Sequence, residues 1–241
     1  MESIDLARLT NSLKQHTAVH AAWLEGSRGE GTNDEFSDMD IWVDVDDGRE
    51  EEVYEHIESF LRKIGELDVD YAANIAHPLL RHRTYHIAGT NPFERLEINM
   101  QSHSRNFRFT EGVHNIKVLF DKDSTIKMER LNKEALEKEL ASRKRFLLEK
   151  IEFGELWVEK EIRRRKFLEA LGMYNHFFAE SIVELCRIKY SPYKISHGLK
   201  HIYTDLPQDI VRKIESIHQI TSIEDIKEKI TEVKDLAKEL F

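Results

Sequence analysis

Strand-type patterning stops near residue 123 and does not return. This one-way change constrains the fold more than any other feature of the chain. Before it, short apolar runs alternate with helical ones. Residues 3–18 place Ile4, Leu6, Leu9 and Leu13 near helical spacing, and residues 50–64 do the same with Val53, Ile57, Phe60 and Ile64. Between and after them, Val19–Leu24, Ile41–Val43 with Val45, residues 67–75, residues 82–88 and Ile116–Phe120 read as strands, with a break at His77-Pro78. Residues 94–101 alternate cleanly: Leu96, Ile98 and Met100 on one face, Arg95, Glu97, Asn99 and Gln101 on the other. From about residue 126 only helical spacing is found. Leu131, Leu136, Leu140 and Leu147 lie in a charged helix. Phe167, Leu171, Tyr174, Phe178, Ile182 and Leu185 make a long amphipathic face that ends at Ser191-Pro192. Ile226, Ile230 and Val233 mark a last helix. The expected class is α+β: a mixed-sheet domain over residues 1–123, then an all-helical bundle over 124–241, joined at Asp121–Ser124. The length of 241 residues suits two small domains.

Composition excludes several function classes. No apolar stretch approaches the ~20 residues that span a bilayer, and no basic-then-apolar leader opens the sequence, so no membrane partner and a cytoplasmic location are expected. A single cysteine, Cys186, rules out an internal disulfide framework and falls in an apolar helical pattern, where it reads as core. The formal charge of −9 argues against a nucleic-acid partner. Its distribution is uneven: residues 1–123 carry 13 Lys and Arg against 24 Asp and Glu, a net of −11, whereas residues 124–241 carry a net of +2. An acidic first half suits bound cations or a cationic substrate, and the second half can supply counter-charge to phosphates.

The chemistry concentrates in WLEGSRGEGTNDEFSDMDIWVDV, residues 23–45. One apolar run stops at Gly26-Ser27, a polar loop to Ser37 follows, and Asp38 and Asp40 head the next run. Residues two apart in an extended segment project to the same face, with Cα atoms roughly 6.5–7 Å apart. Such a carboxylate pair can converge on a divalent ion. Asp44 shares the parity but lies ~13 Å further along, too far to join them. Gly26 permits close approach of an anion to the backbone, Ser27 adds a hydroxyl donor, and Arg28 faces either phosphate or solvent. A third carboxylate is needed as ligand or proton acceptor, and Glu97, polar on an otherwise apolar strand, is the candidate.

Gly26-Ser27, a loop, then Asp38-Met39-Asp40-Ile41 resembles the signature of the polymerase-β-type nucleotidyltransferase superfamily. RLEINMQ around Glu97 resembles its third acidic strand, and IKVLFDKDSTI, residues 116–126, resembles the closing strand of the antibiotic-modifying branch, the aminoglycoside and lincosamide adenylyltransferases. The resemblance implies an N-terminal nucleotidyltransferase domain with a helical C-terminal domain. It implies Mg²⁺ held by Asp38, Asp40 and Glu97, ATP as nucleotide donor contacted by Gly26, Ser27 and Arg28, and Glu97 as general base. It further implies a basic residue of the second domain on the triphosphate, for which RIKYSPYK offers Lys194, aided by Tyr190 or Tyr193. The run Arg163-Arg164-Arg165-Lys166 competes for that role, although a solvated helix face is its simpler meaning. The third acid is Glu where polymerases carry Asp, which shifts weight toward transfer to a small molecule. The reaction expected is transfer of AMP from ATP to a hydroxyl of a small molecule, with an aminoglycoside-like antibiotic as the candidate acceptor, held in a cleft between the domains. Rivals are adenylylation of a protein in the manner of antitoxins and a non-catalytic nucleotide-binding module. Oligomeric state stays open, with a homodimer through the helical domain as one arrangement.

Other features read as structure. Twelve histidines invite a zinc site, but His82 and His86 are four apart in a strand, and His197 and His201, four apart in an expected helix, have no further ligands at metal spacing. Trp23, Trp42, Tyr174, Phe177 and Phe178 are expected in cores.

Overall fold

A computed structural model describes residues 4–241. The chain divides into two compact units, the first ending at Leu131 and the second running Asn132–Phe241. The first opens with α1 (Leu6–Gln15), capped by Asp5, whose carboxylate accepts from the amides of Ala7 and Arg8. Then follow β1 (Val19–Leu24), a short helix α2 (Gly26–Glu30), β2 (Met39–Val45) and α3 (Glu50–Leu61). Next come β3 (Leu67–Ala73), β4 (Leu80–Ile87), β5 (Leu96–Ser102), β6 (Phe109–Thr110), β7 (Lys117–Asp121) and β8 (Met128–Glu129).

Six strands form one mixed sheet in the order β3-β4-β5-β2-β1-β7. Only β2 and β5 pair in parallel within it, through the crossover that contains α3, and all its other pairings are antiparallel. Strand alternation sorts the two faces. Val43, Val45, Ile41, Leu96, Ile98 and Met100 point to one face and are buried with Leu9 and Leu13 of α1 and Val53, Ile57 and Leu61 of α3. The opposite face carries the alternate residues: Asp40, Trp42 and Asp44 on β2, and Glu97, Asn99 and Gln101 on β5. Over β1 this face is covered by a small second cluster, in which Trp23 and Ala21 pack on Phe109, with Phe107, Ile116 and Ile126 alongside.

Two expectations are corrected here. The stretch after Gly26 is not loop throughout, since its first residues close one helical turn. Strand pairing also continues past residue 126, because Met128 and Glu129 pair in parallel with Phe109 and Thr110. Residues 124–131 therefore pack with the first unit. Two-residue strands are too short to show alternation, which is why the pattern hid them.

The second unit is helical. α4 (Lys133–Arg163) has 31 residues, about 46 Å of helix, and is capped by Asn132, which accepts from the Ala135 amide. α5 (Phe167–Tyr174), a π turn (Asn175–Ala179) and α6 (Glu180–Tyr190) follow without a break. Ser191-Pro192 ends that run and starts a 3₁₀ segment, Pro192–His197. α7 (Ile202–Asp205), α8 (Gln208–Ile217) and α9 (Ile223–Leu240) complete the unit. α9 begins with a reciprocal capping box between Ser222 and Asp225. Tyr174, Phe178, Ile182, Leu185 and Cys186 meet Ile214, Ile226 and Val233 in one core. Burial pushes the Cys186 thiol up to about 12, as an inert core residue requires. Phe177 is only partly buried, against Gly154 of α4. His197 and His201 do not share a helix: His201 takes left-handed backbone at φ 58° between the 3₁₀ segment and α7.

Candidate active site

The parallel pairing of β2 with β5 builds the site. Its register sets Asp40 beside Glu97, and Met39 N donates to the Arg95 carbonyl at 2.8 Å, which pins the entry of β2. Asp38, two residues before Asp40, adds its carboxylate to the same face. One oxygen from each of Asp38, Asp40 and Glu97 lies within 4.8 Å of the other two, and all three side chains are half-buried. Among the described residues this is the one group of three or more acidic, histidine or cysteine side chains so gathered.

The Gly26–Gly31 turn is shaped against these acids. Gly26 sits at φ 60°, a region that glycine enters without strain, and a Cβ there would overlap Asp40 Oδ2. Gly29 is equally constrained: a Cβ would stand 2.8 Å from the Leu24 carbonyl and 2.9 Å from that of Asn115. Thr32 N donates to the Ser27 carbonyl, and Gly31 at φ 74° turns the chain out of α2. Arg28 does more than face solvent, because its Nε donates to the Asp38 carbonyl at 2.9 Å. It thereby ties the turn to the start of the acidic strand. Gly26 and Arg28 thus border the Asp38–Asp40–Glu97 cluster, with Ser27 between them in the turn.

Cross-strand registers extend this face into rows. Glu25 N donates to the Asp40 carbonyl at 3.2 Å, so the first row runs Glu25, Asp40, Glu97, Thr84. The second runs Trp23, Trp42, Asn99, His82, and the third contains Ala21, Asp44 and Gln101. Glu25 went unnoticed in the sequence, although its parity with Trp23 would have placed it on this face. Trp23 Nε1 donates to its carboxylate at 2.9 Å. Burial raises the Glu25 pKa, against the opposing pull of that indole and of His114 and Arg105. Asp44 is fully buried and accepts from Gln101 Nε2 and His103 Nδ1, each at 2.6 Å, which makes it a structural carboxylate. Trp42 is corrected from core to half-buried, standing on the acidic face nearly parallel to Trp23.

Lys194 belongs to the second unit, where its Nζ donates to Asp205 Oδ1 at 3.0 Å. Arg187, fully buried, holds the other Asp205 oxygen. Burial alone would raise the Asp205 pKa, but these two cations bring it below the usual carboxylate range. Tyr190 and Tyr193 are exposed. Arg163 and Arg164 pair with Glu159 and Glu161 of α4, but the run is not a helix face: α4 ends at Arg163, Arg165 takes left-handed backbone at φ 57°, and Lys166 caps α5, so these exposed cations form the corner between two helices.

A mixed sheet that gathers three carboxylates beside a glycine–serine turn defines a nucleotidyltransferase. The chain belongs to the streptomycin adenylyltransferase family, whose family model matches residues 4–240. None of the curated proteins compared with it matches. Among solved structures it is similar to an aminoglycoside 6-adenyltransferase from Bacillus subtilis, at 13% identity and a TM-score of 0.40, covering 97% of this chain and 86% of that one. It is also similar to a nucleotidyltransferase-like protein from Exiguobacterium sibiricum, at 12% identity and a TM-score of 0.37, covering 98% of this chain and 75% of that one. Likeness at these scores is slight, and the family match is what assigns the chain. No helix among the described residues is long and apolar enough to cross a membrane.

Proposed function

We propose that this protein transfers AMP from ATP to a hydroxyl of a small, polyhydroxylated cation of the aminoglycoside type. The observation that carries this reading is the approach of Asp38, Asp40 and Glu97 to within 4.8 Å beside Gly26-Ser27. Three half-buried oxygen donors suit Mg²⁺, and the absence of a Cβ at Gly26 keeps Asp40 clear to serve it. Bound there, Mg²⁺ supplies charge neutralisation for the triphosphate.

The chain's own groups carry the remaining tasks. Ser27 and the turn around it hold the phosphates, with Arg28 and Lys194 as the assigned cations. Glu97 accepts the proton of the acceptor hydroxyl. The freed oxygen bonds to the α-phosphorus, the bond from that phosphorus to the bridging oxygen breaks, and pyrophosphate leaves with the electron pair. Glutamate reaches further than aspartate, which lets Glu97 meet a hydroxyl that arrives from outside the acid cluster. The −11 net charge of residues 1–123 favours a cationic acceptor. The single, buried Cys186 and the need for ATP fit the cytoplasm.

The test is incubation with Mg²⁺-ATP and a panel of aminoglycosides that includes streptomycin. It is read by mass spectrometry for the gain of one AMP and by pyrophosphate release. Asp40→Asn is expected to lower turnover by ~10²-fold or more. No product from any acceptor, with the folded wild-type protein, refutes the proposal.

A further inference from the structure

We infer that Trp42 and Asn99, one row in from the acid cluster, form the surface that receives the acceptor, with His82 as the residue that positions Asn99. The inference rests on the transferase reading above and adds the part of the sheet where the acceptor lies and the chemistry it must show.

Strand order fixes the direction of approach. In-line transfer places the incoming oxygen and the departing pyrophosphate on opposite sides of the phosphorus. Ser27 follows β1 on one side of Asp40, and Glu97 lies on β5 at the other side. If the pyrophosphate is held at the Ser27 turn, the acceptor enters from the β5–β4 side. The side chains next to Glu97 on that side, two residues along each strand, are Asn99, His82 and, on β2, Trp42.

Burial then outlines the strip. Trp42, Asn99 and His82 are each half-buried. The next row is closed, with Asp44 at 0% and Gln101 at 4% exposure, and the β1 side is closed by Trp23 at 1%. Rows lie roughly 6.5–7 Å apart and strands about 4.8 Å apart, the footprint of one six-membered ring. Trp42 is held nearly parallel to Trp23, ring centroids 6.0 Å apart, and gives the strip an apolar wall. His82 Nδ1 donates to Asn99 Oδ1 at 2.8 Å, and its Nε2 accepts from the Thr84 hydroxyl at 3.0 Å. Both ring nitrogens of His82 are thus engaged. The bond fixes the Asn99 amide and leaves its NH₂ as the donor to a ligand. Arg105 stands over Trp42, 5.9 Å from its ring centroid, hydrogen-bonded to Gln101 and in electrostatic contact with Glu25 of the acidic row. An apolar wall, one fixed amide donor and the carboxylates of Asp38, Asp40 and Glu97 one row away select a saturated ring with hydroxyl substituents whose ammonium groups lie toward the acids.

The experiment uses the full-length protein, with streptomycin as the probe acceptor and ATP as donor, each varied separately. Trp42→Ala and Asn99→Ala are expected to raise KM for streptomycin by ~10-fold or more, while KM for ATP stays within about twofold. Trp42→Phe, which keeps a ring, should recover most of the loss, and His82→Ala should act in the direction of Asn99→Ala but less. Unaltered KM for streptomycin in both alanine variants, or a rise confined to KM for ATP, overturns the assignment while wild-type turnover leaves the transfer reading standing. A wild-type protein that modifies neither streptomycin nor any other aminoglycoside overturns both. Should an alanine variant not fold, Trp42→Phe and Asn99→Ser give the same split between the two substrates.

Discussion

Gly26→Ala separates the backbone role of the turn from its contact with the acids. Gly26 and Gly31 both lie in left-handed backbone, at φ 60° and 74°. An alanine at either position costs about 1–2 kcal/mol for that conformation alone. Their surroundings differ: a Cβ on Gly31 meets nothing within 4 Å, whereas one on Gly26 overlaps Asp40 Oδ2. Asp40 cannot yield freely, because its backbone is fixed by pairing to Glu97 on one side and by the Glu25 amide on the other. The carboxylate must therefore leave the position it holds in the cluster with Asp38 and Glu97. Both variants should lose a similar few degrees of Tm, on the order of 3–6 °C for about 1 kcal/mol in a unit of this size. Only Gly26→Ala should lose turnover, by ~10²-fold, the scale of a displacement of about 1 Å at a reacting centre. Differential scanning fluorimetry and pyrophosphate release, run on both variants, measure the two effects. Equal activity in Gly26→Ala and Gly31→Ala would refute the claim that Gly26 is glycine for the sake of Asp40.

Two further outcomes follow from packing and charge. His20 sits between Asp123 and Asp46, with Nδ1 and Nε2 at 2.7 and 2.8 Å from their oxygens; burial lowers its pKa, but the two carboxylates outweigh it and the net shift is upward from 6.5. Its contribution to stability is therefore present below pH 6.5 and is lost as pH rises through the raised value, so His20→Gln should remove that part of the pH dependence in urea unfolding; identical pH profiles for the two proteins would contradict the assignment. Gly154→Ala gains up to about 1 kcal/mol of helix propensity, yet the new methyl overlaps Phe177 at Cβ and Cγ, atoms close to the backbone that cannot turn aside. Overpacking of about 1–3 kcal/mol should win, and Tm should fall; a rise in Tm would show that the α4–π turn contact has slack.

Much of this protein can be read locally. Asp38 and Asp40 share a face because neighbouring strand residues alternate, and Gly26-Ser27 ends β1 because an apolar run stops there. α8 was equally legible, since Ile210, Val211, Ile214 and Ile217 keep helical spacing, and it was overlooked for want of a strong start signal after Pro207. The π turn left no mark, because Tyr174 and Phe178 keep a spacing that either helix type accepts.

Sequence alone determined the class of fold, the two acids at the head of β2 and the small-residue turn beside them, since each depends on residues within a few positions of one another. Tertiary structure decided which distant side chains share their face. Glu97 joins Asp40 only through the parallel register of β2 and β5, Asp44 is withdrawn by Gln101 and His103, and Lys194 is held by Asp205. Trp42 shows the reason most clearly. An aromatic in a central strand looks like core from either side, and only the placement of α1 and α3 on one face of the sheet tells which side faces the chemistry.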